Sequence, residues 1–379
     1  MTDTYDAIIV GGGPAGSTLA WALTRQGRRA LVLDKQDFPR DKTCAGWVTP
    51  AVLRALEISP GEYSRERVMQ PIYRFRIGMM GQKPVENDHG DTPVSYGIRR
   101  CEFDDYLLRR SGATLALNEK FRTMERDDQG LWQVNERYRA PVVIGAGGHF
   151  CPVAARIGAG PGRHETAVVA KEVEFAMTPE QARDCLVRGD TPELWFCRDL
   201  VGYAWVFRKG HYLNVGLGRE DNHRLGDHLQ AFVQDMQQAG RIPEDMPGRF
   251  QGHAYLLYDH APRPLLDDGV MLIGDAAGLA YTQSGEGIRP AVESALMAAG
   301  VIARASGSDY SASTLAPYEQ QLQARFGRRH NPGEQGLAIP DWARNHLAPA
   351  LMRTHWFTRK VVTQRWFLHE HVPALSLTG

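Results

Sequence analysis

Near the start of this chain, Gly11, Gly13 and Gly16 stand at G-x-G-x-x-G spacing between an apolar run, Ala7 to Val10, and a helically periodic stretch, Ser17 to Gly27. Few sequence features constrain a fold as tightly. The run before the glycines reads as a buried parallel strand, and a second such run, Ala30 to Leu33, ends in Asp34. Each glycine has a physical reason. Gly11 permits the tight turn, Gly13 lets backbone approach a pyrophosphate, and Gly16 lets helix and strand pack closely. The N-terminus of that helix offers N–H groups and a positive dipole end to the phosphates, and Pro14 and Ala15 before it are candidate cofactor contacts. Asp34 lies 18 residues past Gly16, near the roughly 20 expected of the acid that binds a ribose hydroxyl.

Composition narrows the classes. A length of 379 residues suits two or three domains of roughly 150 residues, and 43% hydrophobic content suits ordinary cores. Lys+Arg and Asp+Glu both number 44, so charge makes no case for nucleic acid. No stretch approaches the roughly 18 unbroken apolar residues of a membrane helix. Asp3 and Asp6 precede the first strand, which is unlike a signal peptide. The five cysteines are widely spread and form no C-x-x-C, which argues against a disulfide framework or a metal site and for a reducing cytoplasm.

After Asp34 the segment Lys35 to Pro50 carries Pro39 and Gly46 and reads as a loop leaving the carboxyl end of the second strand, where open α/β sheets bind ligands. Arg40 and Lys42 are candidates to hold a phosphate or a substrate anion. The run G-G-G-P-A-G-S, then the pair Asp34-Lys35, then Phe-Pro-Arg-x-Lys-x-Cys-x-Gly over 38–46, resembles the geranylgeranyl reductase family of flavoproteins. That family lies within the wider para-hydroxybenzoate-hydroxylase-like group of FAD enzymes, and the similarity spans roughly Asp6 to Arg304. It implies FAD as cofactor, with Lys35, Arg40, Cys44, Ala45 and Gly46 near it. A small buried thiol is the plain alternative for Cys44.

Further motifs extend the resemblance. Arg100-x-x-Phe103-Asp104-x-x-Leu107 matches the family pattern whose arginine contacts the cofactor. At 145–148 the wider group has Gly-Ala-Asp-Gly, whereas this chain has Gly147 in place of the aspartate, so a strand–turn–helix is expected there without an acid. Cys151 reads as structural. Tyr203-x-Trp205-x-Phe207-x-Lys209-Gly210 matches a strand that walls the family's substrate cavity, with Arg208 replacing the usual proline. Period two puts these aromatics on one face, which packs against a helix or borders the cavity. The second strong signal is the strand Val270 to Ile273, then Gly274-Asp275-Ala-Ala-Gly278, then Gly285-Glu286-Gly287-Ile288 and an Ala-rich helix over Ala291 to Ser306. The resemblance implies that Asp275 meets the ribityl chain. It also implies that the Gly285 to Ile288 amides face the flavin's pyrimidine end, where a helix dipole stabilises an anionic reduced flavin. Gln283, Glu286 and Arg289 are polar candidates beside the ring, with loop solvation the alternative.

The expected architecture is α/β: a Rossmann-like FAD-binding domain (1–70, 95–165 and 265–305), an inserted mainly antiparallel β-sheet substrate domain (71–94 and 166–264), and a C-terminal helical region (306–379). Within these, 71–98 should contribute a strand pair to the substrate sheet, 113–140 a three-stranded meander with its turn at Asp127–Gly130, and 224–240 an amphipathic cover helix. The tail mixes Trp342, Trp356, Phe357, Trp366 and Phe367 with basic residues, five Lys/Arg against two acids from Asp341 onward. Such a segment lies on a membrane surface, lids the cavity, meets a partner protein or simply caps the domain. The expected activity is reduction of a C=C bond of an apolar, isoprenoid-like substrate by reduced flavin. Cys44, Tyr203, Trp205 and Glu286 are the catalytic candidates. Aromatic hydroxylation with O2 and modification of a partner protein's side chains are the alternatives; the Trp-x-Trp-x-Ile-Pro run of flavin halogenases is missing. The sequence leaves the electron donor open: NAD(P)H, bound transiently without a Rossmann domain of its own, and another donor are the candidates. The protein is expected to be cytoplasmic, with any membrane contact peripheral.

Overall fold

The computed structural model describes residues 3–162, 167–221, 224–261, 263–305, 309–329 and 347–375. The glycine-rich signature builds the centre of the first layer. Strand β1 (Ala7–Val10) is buried at every position and is followed by α1 (Pro14–Arg25) and β2 (Ala30–Leu33). Continuous apolar runs of this kind suit a sheet covered on both faces. The layer continues through α2 (Arg100–Arg109), β3 (Thr114–Ala116), β4 (Val143–Gly145), β5 (Leu266–Asp267), β6 (Val270–Leu272) and α3 (Ile288–Ala305). Sheet order is β5-β6-β4-β1-β2-β3, and every pairing is parallel except the edge pair β5–β6. Ile8 sits opposite Leu31 on one side and Val143 on the other, and Val143 opposite Val270. Sequence-distant strands therefore deliver their carboxyl ends, Gly11, Ala146 and Gly274, to one edge.

Glycine is required at two points of that edge. Gly11 has φ +117°, and a Cβ there would stand 2.4 Å from the Ala146 carbonyl oxygen. A Cβ on Gly16 would stand 1.9 Å from the Gly11 carbonyl oxygen, which makes Gly16 the contact between helix and turn. Pro14 occupies the first turn of α1, where its missing N–H costs no hydrogen bond.

The second layer is a seven-stranded sheet in the order 251–256, 167–176, 212–219, 202–209, 193–196, 74–79, 85–88. It is antiparallel except where Glu193–Phe196 runs parallel to Arg74–Met79. One face carries Ala204, Val206, Leu213, Val215 and Leu217 under the amphipathic helix Leu225–Gln238, whose Leu229, Phe232 and Met236 pack on it. The other face carries Trp205 and Phe207 with Tyr203 beside them. Alternation of side chains along the strand assigns the aromatics to the face away from the helix.

Several expectations need correction. The meander starts at Met124, not at 113: Thr114–Ala116 joins the parallel sheet, while 124–126, 132–134 and 138–140 pair antiparallel and Asp3–Thr4 extends them. Of the strands expected over 71–98, Arg74–Met79 and Val85–Asp88 enter the seven-stranded sheet, but Met69–Ile72 and Ser95–Ile98 form a separate small sheet with Trp47–Val48. That third pairing reclaims part of the loop after Asp34. The Ala-rich helix opens at Ile288, three residues before the alanine run, because Glu286 accepts the Arg289 amide and satisfies the first turn. In the tail, Ala312–Leu315 and Pro317–Phe326 are helical and Phe357–Phe367 is a π-helix; Trp342 and Arg344 lie outside the described residues.

Candidate cofactor and active site

A cavity of about 500 Å³ opens along the carboxyl edge of the parallel sheet and runs beneath the aromatic face of the second sheet. Gly13 and Asp275, 262 residues apart in sequence, both line it. At one end the turn after β1 exposes backbone: a Cβ on Gly13 would meet nothing nearer than Arg40 Nη2 at 3.5 Å. Asp34 closes that end. Its two oxygens accept the Gly12 amide at 2.7 Å and the Gln36 amide at 2.9 Å, leaving further lone pairs toward the cavity.

Charge is concentrated beside this turn. Arg100 holds Asp104 through two bonds of 2.9 Å, and Arg40 Nη1 lies 3.3 Å from the same carboxylate. Two guanidiniums share one carboxylate, so the cluster keeps net positive charge. Lys42 Nζ donates to His253 Nε2 at 2.6 Å, which makes that ring nitrogen the acceptor. Burial, with Arg100 nearby, lowers the Lys42 pKa to about 8. Burial likewise lowers His253, helped by the Lys42 charge against the opposing pull of Asp275. Asp275 lies 3.8 Å from His253; burial pulls its pKa up, but His253, Lys42 and Arg100 together hold it below the usual carboxylate range.

At the other end the walls become aromatic. Tyr203, Trp205, Tyr255 and Trp47 line the cavity. Trp205 Nε1 donates to Asn214 Oδ1 at 2.7 Å, and its ring lies over Gly216, where a Cβ would come within 2.3 Å. Tyr203 donates to the Ser284 carbonyl at 2.5 Å. Asn214 links Trp205 to the loop below: its Nδ2 donates to the Cys44 carbonyl and to Glu172, whose other oxygen accepts the Cys44 amide at 2.5 Å. Burial raises the Glu172 pKa against these bonds. Cys44 is held at its backbone on both sides and lines the cavity. Phe367 of the tail stacks on Trp47 at 5.6 Å and meets Tyr203 edge-on at 5.4 Å, so the tail backs this wall.

The cavity brings together Gly11, Gly13, Pro14, Ala15, Asp34, Lys35, Arg40, Cys44, Ala45, Arg100, Gly147, Tyr203, Trp205, Asp275, Gly285, Glu286, Gly287 and Ile288. It leaves out Gly16, Gly46 and Gly274. Gly16 packs against Gly11, Gly46 against the Ile98 carbonyl, and Gly274 against Ala15 with its amide bonded to Ser294 Oγ. Gln283 is exposed, and Arg289 turns away from the cavity to bond Glu293 and the His369, Val372 and Pro373 carbonyls, so neither is a ring-side group. Cys151 is fully buried behind Gly147. Sequence reading assigned no site role to His253, Tyr255, Phe121 or Phe150. The period-two pair His253 and Tyr255 on a strand leading back to the second glycine turn was the available signal; Phe121 and Phe150 carried none.

The shape and donor set fit a flavin dinucleotide. Bare backbone at Gly13 and the opening of α1 suit a pyrophosphate, the Arg40–Lys42–Arg100 cluster suits its charge, and the opening of α3 at Gly287 and Ile288 presents amides that a helix cannot satisfy internally. Comparison with known proteins agrees. The model of the family described as FAD binding domain matches residues 4–328. A digeranylgeranylglycerophospholipid reductase of Methanocaldococcus jannaschii is 27% identical over 340 residues, 86% of this chain and 84% of that protein. A solved geranylgeranyl bacteriochlorophyll reductase-like protein from Thermoplasma acidophilum superposes with a TM-score of 0.74 at 23% identity, covering 93% of this chain and 88% of the other. The flavin-dependent halogenase CmlS superposes with a TM-score of 0.66 at 21% identity, covering 86% and 63%. These two structural likenesses concern the fold.

Proposed function

This chain belongs to the FAD binding domain family and is an FAD-dependent oxidoreductase; we propose that it reduces a carbon–carbon double bond of an apolar, isoprenoid-like substrate. The observation that carries this reading is the continuity of one cavity, polar and cationic at the dinucleotide cradle and walled by Trp47, Tyr203, Trp205 and Tyr255 beyond it. Resemblance to lipid reductases across most of the chain supports it. On this reading the six-stranded sheet and its helices carry the cofactor and the seven-stranded sheet carries the substrate.

When bound, the flavin supplies hydride to the substrate and takes electrons from a donor. The residues of this chain divide the remaining work. Gly11, Gly13 and the α1 N-terminus would hold the pyrophosphate with Arg40 and Arg100, Asp34 the adenosine ribose, and Asp275, beside His253 and Lys42, the ribityl hydroxyls. The amides of Gly287 and Ile288, at the opening of α3, would face the flavin's pyrimidine end. Tyr203 and Trp205, held by Ser284 and Asn214, would orient the apolar substrate beside the flavin and exclude water. Cys44 lines the same space from the opposite loop. The tail's exposed Leu347, Leu351 and Trp356, beside Arg353, suit the surface of a membrane in which such substrates reside.

The test uses holoprotein reduced with dithionite and mixed anaerobically with a digeranylgeranylglycerophospholipid. Flavin reoxidation with a gain of two hydrogens per double bond is expected. No reoxidation by the lipid, together with substrate-triggered O2 uptake on an aromatic, would replace this reading with hydroxylation.

A further inference from the structure

Reduction of a double bond needs a proton as well as a hydride, and among the described residues one carboxyl in the cavity is built to hold that proton. Glu286 stands in the turn Gly285–Gly287 at the mouth of α3 and lines the cavity. Its Oε1 accepts the Arg289 amide at 2.7 Å, while its Oε2 is buried and has no hydrogen-bond partner among the described residues. An ionised carboxylate would leave that oxygen buried without a hydrogen bond, whereas a protonated one carries an O–H there to give away.

The other acids of the cavity are differently engaged. Asp34 accepts two amides, and Asp275 faces His253 and the Lys42 charge, which help hold its pKa down. Tyr203 gives its own proton to Ser284, and burial raises its pKa further from neutrality.

We propose that Glu286 is the proton donor of the reduction. As hydride from a reduced flavin forms a C–H bond at one alkene carbon, the π bond breaks and its electron pair takes the Glu286 proton at the other carbon. The carboxylate left behind regains a proton from solvent. The assignment rests on the alkene-reductase reading above. Glu286 titrates at about 7 because burial raises it and outweighs the Arg289 charge and backbone bond, with Glu293 adding to the rise. The groups coupled to it are Arg289 and Glu293 from α3, Tyr203 from strand 202–209 and Tyr281 from the preceding loop. Such tuning suits a general acid working near neutrality.

E286Q tests the role, because the amide oxygen still accepts the Arg289 N–H and keeps the helix start. The variant should load flavin and melt as the wild type does. Reoxidation of the reduced holoprotein by a digeranylgeranylglycerophospholipid should slow by about 10²-fold or more. In the wild type that rate should fall tenfold per pH unit above about 7, and in E286Q it should lose this dependence. Independently of turnover, the infrared spectrum of the oxidised holoprotein should show a protonated-carboxyl C=O band that vanishes as pH rises through about 7 and is missing in E286Q. Wild-type reoxidation rates in E286Q, or no such band in the wild type, overturn the donor role alone. A wild type that no lipid alkene reoxidises overturns the reductase reading and the donor role with it.

Discussion

At the scale of single residues, the site is governed by what burial does to charge. Lys42 is buried beside Arg100, and its pKa falls from 10.5 to about 8. Folding therefore expels a proton between pH 8 and 10.5, where the unfolded chain still binds one. Stability from this group is fully present above 10.5, and it is lost as pH falls through about 8. K42M should accordingly remove a rise in the flavin-free protein's unfolding free energy between pH 8 and 10. Denaturant titrations of both proteins across that window check it, and parallel pH profiles would refute it. Asp34 shows a residue whose place was legible and whose geometry was not. Its spacing from Gly16 locates it at the strand end, but only the fold reveals that both oxygens already tie the Gly12 and Gln36 amides together.

At the scale of elements, the C-terminal segment is the one that sequence left most open. It backs the aromatic wall through Phe367, and His369 stacks on Tyr281 at 3.6 Å. Its anchor is Arg289, almost wholly buried, which bonds Glu293 and three tail carbonyls; Arg325 adds Glu293 and the Pro373 carbonyl. Removing one partner from a buried ionic network costs about 3–5 kcal/mol. R289A should thus lower Tm by several degrees and expose 347–375 to protease before the rest of the chain unfolds. Limited proteolysis with mass mapping reads this out, and an equally protected tail in the variant would count against the anchor. Helical periodicity could not foresee it, because a solvated arginine in the first turn of a helix and a clamp on a distant backbone have the same local pattern.

At the scale of the whole molecule, two turns far apart in sequence meet at one edge of the first layer. The turn after β1 and the turn after β6 come from opposite ends of the sequence and share one cavity. FAD added to flavin-free protein at about 100 times its Kd should raise the unfolding free energy by about 2.7 kcal/mol. It should do so as one upward-shifted transition in calorimetry; two transitions, only one of them moved by FAD, would contradict the bridging. The sequence by itself determined the two glycine-bearing turns, the parallel runs around them and the acids that follow, because backbone approach and strand burial are local demands written in residue size and period. Tertiary structure alone decided that Tyr203 and Trp205 face the cavity and not the cover helix, that Lys42, His253 and Asp275 converge, and that Arg289 serves the tail while Glu286 serves the site. Those outcomes depend on which surfaces meet across long loops, and side-chain period along one strand or helix carries no information about its partner.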